Sequence, residues 1–182
     1  MPTKTDYFLK ALHVVSWIIF IGVSIEAGGF IFNAIFTLFL NPAGAGKFWT
    51  EVDISELYIY NQSHYVTLIS LMIVAAVLRA TMFYTIVKIF YDNKLNLIQP
   101  FNETVKRFIV KIAYLALGIG LFSFWGTKFT EGLVKKGVKM PDIQHLRLGG
   151  ADVCLFMGVA LLVIALNFKK GIELQNENDL TV

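Results

Sequence analysis

An all-α fold, an integral membrane bundle of four transmembrane helices, is what this 182-residue sequence predicts. Three observations predict it. Hydrophobic residues make up 56% of the chain, above the roughly 45–50% usual for soluble globular domains. The apolar residues gather into four long runs divided by polar loops, and a helix crosses a bilayer with about 20 such residues. Lys and Arg sit mainly beside those runs and form no cluster interleaved with aromatics, so they read as helix anchors, and direct binding of nucleic acid by this chain is not expected.

The runs give one membrane domain over residues 1–182, with spans near residues 11–40, 65–91, 108–125 and 148–168 and a tail over 169–182. The first run is longer than a bilayer requires and has no clear small-residue cleavage site before Glu26. It reads as a retained span, tilted or projecting, rather than a removable signal peptide. The loop over residues 41–64 opens on the breaker-rich NPAGAG. It continues KFWTEVDISELYIY, whose carboxylates mixed with Trp49, Tyr58 and Tyr60 suit a segment lying along the membrane interface.

Between the second and third spans, Pro100 ends an extended piece, Asn102 is placed to cap the next helix, and Glu103 falls in its first turn, where the helix dipole favours an acid. The loop TKFTEGLVKKGVKMPDIQHLR has a helical start and a Gly/Pro-punctuated end; its charges read first as a solvated loop, with capping of the bundle or contact with anionic head groups as the alternative. Asp152, just inside the fourth run, suits the N-terminal end of a helix.

Loop charges set the expected orientation. With both termini in the cytoplasm, the inner side holds nine cations, Lys4, Lys10, Lys88, Lys94, Lys106, Arg107, Lys111, Lys169 and Lys170, against six outside. Cytoplasmic loops carry the excess of Lys and Arg, so this is the expected topology.

Inside the spans the informative residues are the charges. Glu26 and Arg79 each lie about 15 residues into an apolar run, and the two runs are antiparallel, so both are expected near mid-membrane depth. An ionisable group there costs several kcal/mol unless paired or hydrated. A Glu26–Arg79 pair is the expected solution, primarily as a structural ion pair between the first two helices and alternatively as a polar site for a small molecule, ion or proton. Gly22, Gly29 and Asn33 recur at helical spacing around Glu26, and such a low-bulk face is expected to meet another helix.

Catalytic and metal motifs are missing from the sequence. His13, His64 and His145 show no H-x-x-x-H or E-x-x-H spacing, and no G-x-S-x-G, P-loop or dinucleotide fingerprint occurs. No catalytic residue, cofactor or metal site is assigned, and the chain is expected not to be an enzyme. Cys154, the single cysteine, lies within an apolar run and reads as a small buried hydrophobe.

The chain closes on KKGIELQNENDLTV. Ile172, Leu174 and Leu180, with Glu173, Glu177 and Asp179 interspersed and Val182 at the end, form a short amphipathic strip suited to docking a basic partner. The plainer alternative folds the tail back so that its acids meet Lys106 and Arg107. Four spans, the Pro-Phe-Asn-Glu-x-x-x-Arg start of the third span (Pro100 to Arg107) and the terminal FKKGIELQNENDLTV together resemble a bacterial membrane family known as domain of unknown function 2975. The resemblance implies a multi-pass protein of the bacterial inner membrane, with a small cytosolic helix-turn-helix regulator as neighbour. It supplies no catalytic residues. The expected role is a non-enzymatic regulatory or adaptor component; a small-molecule or ion carrier or channel built on Glu26 and Arg79 is the alternative. Expected partners are the lipid bilayer and a cytosolic regulatory protein, with a homo-oligomer left open.

Overall fold

The structure, a computed structural model, describes residues 4–50, 52–92 and 101–179. Its elements are α1 (Lys4–Ile35), a π-helical turn (Phe36–Leu40), a 3-10 helix (Pro42–Lys47), α2 (Ser55–Tyr60), α3 (Gln62–Tyr91), α4 (Glu103–Lys135) and α5 (Ala151–Asp179). Helices α1, α3, α4 and α5 are each long and apolar enough to cross a membrane. The protein is therefore an all-helical, multi-pass membrane protein. Asparagine starts three of the helical segments: Asn41 accepts from the Ala43 N–H at 3.0 Å, Asn61 from His64 N–H at 3.1 Å and Asn102 from Val105 N–H at 2.9 Å. Each side chain satisfies a backbone donor that a helix start leaves open.

The long helices pack in chain order, α1 on α3, α3 on α4 and α4 on α5, while α1 and α5 do not pack along their lengths. Tightest is the α4–α5 seam. A Cβ on Gly120 would stand 2.6 Å from Leu155, and one on Gly158 would stand 2.6 Å from Leu117 and 3.0 Å from the Ala113 carbonyl. Small residues let two backbones approach this closely, and dispersion contacts then replace what burial from water supplies elsewhere.

The densest core lies at the end of the molecule that bears the loops over 41–61 and 136–150, called the loop end here. Phe48, Val52, Ile54 and Leu57 from the first loop, with Leu146 and Leu148 from the second, are fully buried against Phe30 of α1, Tyr65 and Leu68 of α3 and Leu133 of α4. This corrects two expectations. The 47–60 segment does not simply lie along an interface but turns under itself, with Phe48 N–H donating to Val52 C=O and Ile54 N–H to Ala45 C=O, so its apolar side faces inward. Nor is the second loop merely solvated: Val138, Leu146 and Leu148 are sealed in the same core. The two loops are also clasped, since the Lys139 backbone N–H donates to the Glu56 carboxylate at 3.1 Å.

The small-residue face of α1 is likewise used differently from expectation. Only at Gly29 does something sit close, and it is the Trp49 ring of the first loop, within 2.5 Å of where a Cβ would stand, rather than another helix. Gly22 faces open space, and Asn33 donates to the Gly29 carbonyl of its own helix at 2.9 Å.

Candidate functional site

The cleft left between α1 and α5 is the candidate site. Val23 and Glu26 of α1, Ala76 and Arg79 of α3, Val153 and Cys154 of α5, and Gln144, Arg147, Gly149 and Gly150 of the second loop line a cavity of about 440 Å³. Its floor is α3, and its top is the loop segment that leads into α5.

Glu26 and Arg79 both lie in this cavity, so antiparallel α1 and α3 bring the two span charges to one level. Their nearest partners, however, are other residues. Glu26 is bridged by Arg147, whose Nε stands 3.6 Å from Glu26 Oε1. Arg79 donates through Nη2 to Ser123 Oγ of α4 at 3.3 Å, and feels the Glu26 charge across the cavity. The site thus holds two guanidinium groups and one carboxylate. Both contacts are long and made through single nitrogen atoms, whereas the strongest guanidinium contacts are paired and near 2.8 Å.

Arg147 is the residue of the candidate site that sequence reasoning missed. It occupies a turn in which Leu146 N–H donates to Asp142 C=O, Arg147 N–H to Gln144 C=O and Leu148 N–H to Ile143 C=O. Leu146 and Leu148 on either side are fully buried; Leu148 occupies the space above Gly126, and its carbonyl accepts from Thr127 Oγ1 at 3.3 Å. With both neighbours held in the core, Arg147 adopts φ 56° and its side chain reaches the cleft. A left-handed backbone costs a non-glycine residue on the order of 1 kcal/mol, and the two leucine anchors hold it there. The alternation Leu146-Arg147-Leu148 in a segment otherwise read as solvated is the signal that could have found it.

Of the remaining chemistry-bearing residues, only Cys154 is at the cleft among the described residues. Cys154 is half-buried and lines the cleft rather than being fully enclosed. His13 stacks on Phe90 at 5.8 Å and accepts from the Trp17 indole N–H, while His64 stacks on Phe129. Among the described residues no three His, Cys, Asp or Glu side chains are grouped to hold a metal. Outside the spans, Asp53 is held below its ordinary carboxylate range because the Ser55 hydroxyl and backbone N–H both donate to it.

At the other end of the molecule, α5 does not stop at Phe168 but runs on through Asp179, so the proposed tail strip begins as helix. Ile172 is half-buried, whereas Glu173, Leu174 and Glu177 are exposed. Leu180 and Val182 lie outside the described residues, as does the Asp179 side chain. Glu173 is 3.9 Å from Lys169 one turn earlier, and Lys106 and Arg107 face Glu103 of their own helix, at 2.8 and 3.9 Å. An aromatic contact joins the segments: the Phe101 ring sits 5.2 Å from that of Phe168 and covers Gly171.

The model of a family described as Protein of unknown function (DUF2975) matches residues 39–182. The chain belongs to this family. Arg79, Gln144, Arg147 and the tail fall within the matched stretch, and Glu26 precedes it. No curated protein and no solved structure matches the chain.

Proposed function

We propose that this chain is a non-enzymatic regulatory or adaptor protein of the bacterial inner membrane, whose helical tail engages a cytosolic partner, the helix-turn-helix regulator implied by the family resemblance. One observation carries the reading. Helix α5 is continuous from Ala151 at the cleft to Asp179 beyond the anchoring Lys169 and Lys170, so the cleft and the tail are two ends of one rod. Leu174 is 65% exposed although apolar, and with Ile172 it gives a partner an apolar strip edged by Glu173 and Glu177. A carrier would need a polar route from Glu26 and Arg79 past Asn33. Phe30, Phe48 and Trp49 pack that region with contiguous aromatic rings instead, which supports the regulatory reading.

Co-purification from native membranes tests it. Changing Ile172, Leu174 and Leu180 to Ser, or Glu177 and Asp179 to Lys, is expected to abolish partner capture while leaving detergent melting unchanged. Loss of melting temperature with the same partners retained would refute the docking role. Thiol labelling in intact cells, on a Cys154→Ser background, checks the orientation: Asn178→Cys should be protected and Lys136→Cys reactive.

A further inference from the structure

We infer that the cleft between α1 and α5 binds the anionic head group, a phosphate or carboxylate, of an amphiphile that enters sideways from the bilayer. The inference stands apart from the tail reading, since it rests on the cleft alone. Charge is the first ground. Arg79 and Arg147 face one carboxylate, Glu26, leaving the cavity with an excess of one positive charge, and the Gln144 amide adds a further polar group. Neither guanidinium is saturated: among the described residues Arg79 has one hydrogen bond, at 3.3 Å, and Arg147 one ion pair, at 3.6 Å. An oxyanion between them gains two charge-assisted partners at once.

Depth is the second ground. From Arg107, Lys10 and Lys169, which are exposed near one end of their helices, to Ser123, Glu26 and Cys154 at the cleft is about 15 residues on α4, α1 and α5 alike, or about 23 Å. The hydrocarbon layer is about 30 Å thick. On α4 its far boundary is marked by exposed Trp125 and Lys128, less than two turns beyond Ser123, with the aromatic residue where such rings prefer to sit. Arg79 lies deeper, 12 residues or about 18 Å from the end of α3 at Tyr91. Arg147, just ahead of α5, stands near the level of the lipid head groups at the loop end, where a lipid phosphate lies within reach.

Shape is the third ground. Since α1 and α5 do not pack together, the cleft is open to the side, and its walls are apolar at Val23, Ala76 and Val153. Val153 is 57% exposed and Arg147's side chain 55%, so acyl chains can lie along the wall while the head group meets the guanidinium groups. The volume, about 440 Å³, falls within the range of small-molecule sites.

The test is thermal melting of the full chain in phosphatidylcholine nanodiscs with and without phosphatidylglycerol. Phosphatidylglycerol at a hundredfold excess over its Kd should raise Tm by roughly 5–10 °C. Arg79→Gln and Arg147→Gln should each remove most of the rise, whereas Lys106→Gln with Arg107→Gln at the other end should keep it. Val153→Trp, which fills the cleft but leaves both arginines, should also remove it, and it decides the matter if either arginine variant fails to fold. Inorganic phosphate alone should give no rise. A rise unaffected by Val153→Trp, or lost equally in the Lys106/Arg107 variant, would show general surface attraction and overturn the proposal; an equal rise with inorganic phosphate would replace the amphiphile with a soluble anion.

Discussion

Phe48 and Phe156 are the same residue in two surroundings: Phe48 is fully buried in the loop-end core, and Phe156 on α5 is 76% exposed. Around Phe48, two loops and the ends of three helices close over Ile54, Leu57, Tyr65 and Leu146, as a water-exposed segment must to remove apolar surface from solvent. Around Phe156 nothing closes, since Val153, Met157 and Val159 are exposed with it and lipid is the natural neighbour of that face. The comparison teaches that equal hydrophobicity does not mean equal contribution to folding. At the loop end apolar side chains hold the fold, whereas along α5 the backbone approaches at Gly120 and Gly158 hold it and the side chains meet the membrane.

Three measurements break or sharpen that comparison. The largest expected effect is from Phe48→Ala, which leaves a cavity in the loop-end core and should cost about 3–5 kcal/mol in detergent unfolding. Phe156→Ala, matched in chemistry, should change it by less than about 0.5 kcal/mol, as exposed substitutions do. Equal losses would erase the distinction between the two regions.

Next in size is the helix seam. Gly120→Leu or Gly158→Leu forces a side chain into Leu155 or Leu117 and should cost about 1–3 kcal/mol by overpacking. Gly22→Leu, whose Cβ meets nothing within 4 Å, should be near neutral or slightly stabilising through helix propensity. Melting the three variants side by side checks whether close backbone approach, rather than glycine content, holds α4 to α5.

The smallest effect is electrostatic. Because Ser55 holds the Asp53 carboxyl below its ordinary value, the folded state binds that proton less readily than the unfolded chain. The stabilisation is fully present above the ordinary carboxylate range and is lost as pH falls through the lowered folded value. Asp53→Asn should therefore lower Tm slightly at about pH 7 and narrow its gap to the native chain at about pH 3. A gap that widens in acid would reverse the assigned sign.

Much of this protein was determined by its sequence alone. Four helices, their order, the asparagine cap at Asn102, and the presence of Glu26 and Arg79 at one level all follow from apolar run length, capping chemistry, helical rise and antiparallel connection, which are local or one-dimensional properties. The closing segment of the chain carried the family resemblance. What the sequence did not reveal is which charge meets which. Pairing Glu26 with Arg147 depends on a turn locked by Leu146 and Leu148 far along the chain, and giving Arg79 to Ser123 depends on how α3 and α4 rotate against each other. The same holds for the packing of both loops into one core and for the open side between α1 and α5. These are outcomes of side chains from distant segments competing for the same space, and one-dimensional periodicity records which face of a helix is apolar without recording what covers it.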